Sequence, residues 1–179
     1  VFPRPVFDAD ARKAQGTRLT ATDNAQPAIG VASMATLRML QSVGLEAAQV
    51  GGHSYGELTA LHAAGALDTQ AFFAASAERG ARMAEAAATT EGTMAAARGP
   101  AKKVASILGD AHPDVVLANH NSPKQTVISG PVPAVEAAMK TLEDGGVMSV
   151  RLNVATAFHS PIVAGASVPY GAFLADLPV

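Results

Sequence analysis

Gly52-His53-Ser54-Tyr55-Gly56-Glu57 spells Gly-x-Ser-x-Gly between two apolar segments, the pattern of a chain that leaves a strand, turns sharply and enters a helix with a serine at the apex. Glycines on both flanks suit such a turn, since the crowded backbone holds the central residue in a strained conformation and pushes its hydroxyl into the open. The turn also aims the first amide N–H groups of the following helix, that of Tyr55 among them, at any oxyanion formed when Ser54 attacks a carbonyl. On this reading residues 48–51 are a brief buried strand and residues 56–64 the helix behind the serine.

On the N-terminal side, residues 26–43 place Ile29, Ala32, Leu37, Leu40 and Val43 at helical spacing, with Pro27 in the first turn and Gly44 as the stop. Residues 1–24 are polar, contain proline and read as irregular. Beyond the serine, Asp68 or Thr69 caps a third helix that runs through Phe72, Phe73, Ala77, Arg79 and Met83 and ends at the Thr89-Thr90-Glu91-Gly92 loop. From residue 93 the rhythm changes to short strands alternating with helices in the order βαββαβ, the ferredoxin-like split arrangement with helices on one face of a small antiparallel sheet. The expected fold class is therefore α/β: a hydrolase-like parallel-sheet subdomain from residues 1–92 and 153–179, with residues 93–152 inserted as a ferredoxin-like subdomain.

With 49% hydrophobic and 16% charged residues in a chain of 179, one domain with a subdomain can bury a real core. A net charge of −2 provides no electrostatic footprint for nucleic acid or an anionic membrane. The absence of cysteine excludes disulfides, thiolate metal sites and a cysteine nucleophile. No leader or membrane-length apolar run is read in the sequence, so the expected location is the bacterial cytoplasm, and the start at Val1 reads as a cut segment.

A serine nucleophile needs a base. Among five histidines, His53 is held by the serine's own turn, His62 lies on the following helix, and His112 and His120 fall in the insert. His159, in Ala155-Thr156-Ala157-Phe158-His159-Ser160-Pro161, stands where the chain returns from the insert and is the candidate general base. Arg79 is the candidate holder of an anionic substrate group, because a guanidinium can grip a carboxylate with two parallel hydrogen bonds.

These motifs together resemble the acyltransferase domain of polyketide and fatty-acid synthases, the malonyl-CoA:acyl-carrier-protein transacylase type. The carriers are Gln26-Pro27-Ala28, the run at 52–57, Glu78-Arg79-Gly80 with Met83, Gly92-Thr93-Met94-Ala95, Asn121-Ser122-Pro123 to Ser129-Gly130, and Ala157 to Pro161. Ala25-Gln26-Pro27-Ala28 with Gly-His-Ser-Tyr-Gly-Glu looks most like the iterative synthases of enediyne and polyunsaturated fatty-acid pathways. The resemblance implies Ser54 and His159 as catalytic residues, the Tyr55 N–H as an oxyanion donor, and Arg79, Gln26, His53 and Phe158 as substrate-binding positions. It implies malonyl-CoA as substrate, the phosphopantetheine of an acyl carrier protein as acceptor, and no tightly bound cofactor or metal. Partners would be the carrier protein and neighbouring synthase domains such as a ketosynthase. An aromatic residue at Phe158 would fill the space needed by an α-methyl group.

Two departures stand out. The family's Gly-Gln-Gly loop, implied to supply a second oxyanion donor, does not occur in these 179 residues. Asp176 is the only carboxylate after His159, so the orienting partner of the histidine is unassigned. A serine thioesterase or esterase, and a non-catalytic docking module derived from an acyltransferase, remain as alternative readings.

Overall fold

Local sequence signals set most of the elements of the computed structural model, which describes residues 3–178. In chain order these are α1 (Ala9–Thr20), α2 (Thr22–Ser42), α3 (Tyr55–Ala63), α4 (Thr69–Ala87), β1 (Gly92–Ala97), α5 (Ala101–Leu108), β2 (Val116–Ser122), β3 (Gln125–Pro131), α6 (Val132–Asp144), β4 (Ser149–Arg151) and α7 (Ser167–Ala175). Tight three-residue-per-turn helices lie at Gly109–Ala111 and Pro161–Ala166. The chain divides into two compact units, one of Val1–Ala84 with Val168–Val179 and one of Glu85–Ser167.

In the first unit, α1 occupies a stretch read as irregular. Asp8 caps it by accepting from the Ala11 N–H at 2.7 Å, Asp10 sits in the first turn and Arg18 in the last, each sign matching the helix dipole. The helix buries no residue, so it has no apolar stripe for a periodicity argument to find. α2 also begins a turn earlier than expected, at Thr22, which leaves Pro27 inside the helix, where it removes one backbone hydrogen bond.

The buried stripe of α2 is a second correction. It consists of Thr22, Gln26, Gly30 and Met34, whereas Ile29, Leu40 and Val43, on the expected apolar stripe, are exposed. Close approach selects the face: a Cβ at Gly30 would run into the Tyr55 hydroxyl and lie 3.2 Å from the Phe72 ring. α4 approaches the same stripe at Gly80, where a Cβ would stand 2.8 Å from the Thr22 carbonyl oxygen. Two glycines thus let α3 and α4 reach α2. The core behind them is Met34, Tyr55, Leu58, Leu67, Ala71, Phe72 and Ala75, with Phe73, Phe173 and Leu177 packed against it. His62 belongs to this packing; its Nδ1 lies 2.8 Å from the Leu67 carbonyl and therefore carries the proton that the carbonyl accepts.

Residues 48–51 depart from the expected buried strand: they are exposed and irregular. A strand exists through its ladder, and no other strand lies in this unit among the described residues. The mixed α/β class is carried instead by the second unit.

There, β1, α5, β2, β3, α6 and β4 follow one another in the expected βαββαβ order, and the strands lie in the spatial order β2-β3-β1-β4 with every pair antiparallel. Ala95 and Ala97 of β1 and Ile128 of β3 point to one face, where they meet Val104 and Leu108 of α5 and Val135, Ala138 and Leu142 of α6. Both helices therefore cover the same face. The unit extends beyond the 93–152 stretch on both sides, taking in the end of α4 and the loop that carries His159. His112, here too, has a structural partner, Thr141 Oγ1 at 2.9 Å from its Nε2.

One buried polar atom has no partner among the described residues of this unit's final loop: Thr156 Oγ1, on a residue only 2% exposed. Removing an unsatisfied hydroxyl while keeping the shape relieves a desolvation cost of about 1–3 kcal/mol. Thr156→Val is therefore expected to raise the melting temperature by several degrees. A thermal melt that moves down instead removes this account of the site.

Candidate active site

Ser54 precedes the first residue of α3 with φ 55° and ψ −113°, a backbone region that non-glycine residues rarely occupy. The strain is imposed by the turn around it. At Gly52 a Cβ would overlap the carbonyl carbon and oxygen of Gly56 and the Glu57 nitrogen, whereas a Cβ at Gly56 meets nothing within 4 Å. The two glycines of the motif thus have different standing, only the first being required by contact. The Gly56 N–H donates to the His53 carbonyl at 2.9 Å and the Glu57 N–H to the Ser54 carbonyl at 3.1 Å. The Tyr55 N–H has no acceptor among the described residues, which leaves it as the elbow amide able to meet an oxyanion. Ser54 and the exposed His53 line an open cavity of about 640 Å³ together with Ile29, Val50, Tyr55 and Thr59.

Arg79 and Gln26 do not line that cavity; they meet each other. Arg79 Nη1 donates to Gln26 Oε1 at 2.7 Å, and Gln26 Nε2 in turn donates to Thr22 Oγ1 at 2.9 Å and to Met83 Sδ at 3.4 Å. A guanidinium can only donate, so Arg79 fixes which end of the buried amide faces it, and Thr22 and Met83 hold the other end. Gln26, expected at a substrate-binding position, holds the arginine expected there too.

No carboxylate lies within salt-bridge distance of Arg79 among the described residues, while Arg82 one turn later donates from Nε to Glu78 at 2.7 Å. Burial lowers the pKa of the Arg79 guanidinium, against the opposing influence of Tyr170, then Glu57, then Tyr55. It remains a cation at neutral pH, partly desolvated and hydrogen-bonded to a neutral amide.

Tyr55 connects the two places. Its backbone belongs to the serine turn, while its phenol reaches the Ser76 hydroxyl at 2.7 Å, one turn before Arg79 on α4. Burial raises its pKa, with the Ser76 hydrogen bond and the Arg79 charge acting the other way. Tyr170 on α7, which sequence reading passed over, shows the same pattern: burial raises its pKa and the Arg79 charge opposes the shift. The available signal was its position on α7 three residues before Phe173, which packs on the core.

In the second unit, His159 also has a positive φ, 58°, and the chain is pinned on either side of it. Ser129 Oγ donates to the Phe158 carbonyl at 2.7 Å, and Ser160 Oγ donates to the Ala157 carbonyl at 2.7 Å while accepting from the Ile162 N–H at 3.3 Å. Ser129 follows Ile128 on β3, so the loop is tied to the sheet face opposite the helices. Gly92, at the start of β1, makes room for it, since a Cβ there would lie 2.6 Å from that of Ala157. Phe158 is half-buried and His159 exposed.

The structure thus holds a strained serine ahead of a helix N-terminus, a half-buried arginine with no carboxylate in salt-bridge reach among the described residues, and a pinned histidine loop. The family model for the acyl transferase domain matches residues 10–177. The chain belongs to the acyltransferase domain family. This acyltransferase chain is 37% identical over 163 residues to the malonyl CoA-acyl carrier protein transacylase of Bacillus subtilis, covering 88% of this chain and 50% of that protein. It is 31% identical over 172 residues to one of the polyunsaturated fatty acid synthase subunits of a Thraustochytrium species, covering 95% of this chain and 6% of that polypeptide. The crystal structure of the acyltransferase domain of an iterative polyketide synthase in enediyne biosynthesis superposes with a TM-score of 0.81 at 31% identity, over 88% of this chain and 42% of that one. The chain thus spans about half the length of the Bacillus transacylase and a small part of the Thraustochytrium synthase polypeptide. Among the described residues no three His, Asp or Glu side chains are grouped to hold a metal ion, and no helix is long and apolar enough to cross a membrane.

Proposed function

We propose that this acyltransferase chain moves a malonyl group from coenzyme A, by way of a Ser54 ester, to the phosphopantetheine thiol of an acyl carrier protein. The observation that carries the reading is Arg79, a half-buried guanidinium hydrogen-bonded to an amide and with no carboxylate in salt-bridge reach among the described residues. A site for a neutral acyl group has no use for it; a malonyl carboxylate supplies the missing anion. His53, Phe158 and Gln26, the last beside the arginine it holds, complete the proposed substrate contacts. Residues 93–152 are the inserted subdomain of the acyltransferase core, and the chain works beside other synthase domains such as a ketosynthase, in the cytoplasm where its thioester substrates are made.

In the first half-reaction His159 takes the Ser54 proton, the oxygen bonds to the thioester carbon, and the Tyr55 N–H donates to the oxyanion. The carbon–sulfur bond then breaks and coenzyme A leaves as a thiol with the proton returned by His159. In the second, His159 activates the carrier-protein thiol, whose sulfur takes the acyl carbon and releases Ser54.

Intact-protein mass after mixing with malonyl-CoA tests this. The expected result is a malonyl adduct that maps to Ser54 and disappears when carrier protein is added. Free malonate released without an adduct assigns the chain to thioester hydrolysis, and neither adduct nor hydrolysis assigns it to docking. Arg79→Ala is expected to lower the malonyl loading rate about 10- to 100-fold more than the acetyl loading rate, the loss of a charge-assisted hydrogen-bonded pair. Equal losses for the two donors remove Arg79 from its role as carboxylate clamp.

A further inference from the structure

We propose that Ser76 is a positioning residue of this acyltransferase: its buried hydrogen bond to the Tyr55 phenol fixes the Ser54 turn against the helix that carries Arg79. The inference rests on the reading of Arg79 as the carboxylate clamp and assigns what sets the clamp's distance from the nucleophile.

Tyr55 is the first residue of α3, so its N–H belongs to the serine turn, while its side chain runs out of the turn and is buried. The phenol oxygen lies 2.7 Å from Ser76 Oγ, and Ser76 is fully buried. Ser76 therefore cannot touch an acyl group and acts only through Tyr55. Room for the phenol comes from Gly30, where any side chain would run into the Tyr55 hydroxyl and crowd the Phe72 ring. A glycine on α2 makes the place and a serine on α4 supplies the partner.

The same two helices carry the clamp. Gln26 and Gly30 are four residues apart on α2, and Ser76 and Arg79 three apart on α4, so each pair shares a helix face. At one level Arg79 donates to the Gln26 amide at 2.7 Å. One turn along, Gly30 and Ser76 both meet the end of the phenol. The hydrogen bonds from the Gly56 and Glu57 N–H groups to the His53 and Ser54 carbonyls close the turn on itself, whereas the phenol's bond ties it to α4.

A malonyl group is fixed at two points, the thioester carbonyl that Ser54 attacks and the carboxylate on Arg79, with one methylene between them. An acetyl group is fixed at the first alone. Slack between the turn and α4 therefore misaligns the malonyl carbonyl, while an acetyl group is free to follow the serine. Misplacement of a reacting group by about 1 Å costs on the order of 10² in rate.

Loading rates at saturating malonyl-CoA and acetyl-CoA, with thermal melts, are to be measured on the 179-residue chain as wild type, Ser76→Ala, and Ser76→Ala combined with Tyr55→Phe. Ser76→Ala leaves a buried phenol without its partner, so its melting temperature falls. The double variant removes both hydroxyls, a nearly neutral change when the shape is kept, and its melting temperature returns toward that of the wild type. In both variants the malonyl rate is expected to fall at least about tenfold further than the acetyl rate. A malonyl-to-acetyl ratio that recovers with the melting temperature, or that never leaves its wild-type value, reduces Ser76 to a packing contact and overturns the proposal. Arg79→Ala in the same assay keeps the two readings apart. Equal losses for the two donors there remove the clamp and the positioning role with it. A selective loss there, beside an unchanged ratio in the Ser76 variants, leaves the clamp standing and removes Ser76 alone.

Discussion

Ser54→Ala is expected to end acyl loading, with a loss of at least about 10⁴ in rate, since removing the nucleophile of a hydroxyl-and-imidazole pair leaves only binding and oxyanion stabilisation. The loss is expected for every acyl donor, unlike that of Arg79→Ala, because the ester itself can no longer form. Alanine keeps the strain at this position, as its Cβ meets the same backbone at φ 55°. The melting temperature should therefore stay close to that of the wild type. Ser54→Gly makes a sharper comparison. Glycine enters the positive-φ region without penalty, and relief of about 1–3 kcal/mol of backbone strain outweighs or balances the entropy that glycine adds to the unfolded chain. Ser54→Gly should be as inactive as Ser54→Ala and melt at the same temperature or higher. A lower melting temperature for the glycine variant would show that the turn is not strained, and any adduct surviving in either variant would move the nucleophile elsewhere.

How far the sequence could be read depended on whether a feature is local. The serine turn is legible because its glycines, its serine and the helix behind it lie within a few residues. The βαββαβ order is legible because its strands alternate with helices at short range and pair with near neighbours. α1 was missed for a physical reason: a cap at Asp8 and charges at both ends hold it, and neither leaves a periodic trace. The buried face of α2 was misread because apolar residues occupy more than one side of that helix, and the choice among them is made at Gly30 and Gly80 by residues of α3 and α4. The strand expected at 48–51 failed on the partner it would need.

Long-range pairing explains the rest of the site. Gln26 and Arg79 are 53 positions apart, and each had been assigned to substrate by its own motif. Together they are one unit, in which the amide is ordered by Thr22 and Met83 and the guanidinium by the amide. Tyr170, which the motifs do not include, lies on α7 near the far end of the chain, one turn before Phe173, which packs on the core.

Gly52→Ala and Gly56→Ala look equivalent in the motif and are expected to behave oppositely. At Gly52 the added carbon overlaps backbone atoms of Gly56 and Glu57, and backbone within a hydrogen-bonded turn cannot swing aside as a side-chain tip can. The turn must open, which moves the Ser54 hydroxyl and the Tyr55 N–H together. Misplacement of a reacting group by about 1 Å costs on the order of 10² in rate, and loss of an oxyanion donor costs about 10²–10³. Loading should thus fall by at least about 10³, with a lower melting temperature, since forced overpacking costs about 1–3 kcal/mol. At Gly56 no atom lies within 4 Å of the added carbon, and the residue is inside α3, where alanine is favoured over glycine by up to about 1 kcal/mol. Gly56→Ala should melt at or above the wild-type temperature. Loading rates and melts of the two variants side by side decide the matter: similar losses in both would mean that the second glycine, too, is required, and that the turn depends on freedom at Gly56 and not on the contact at Gly52.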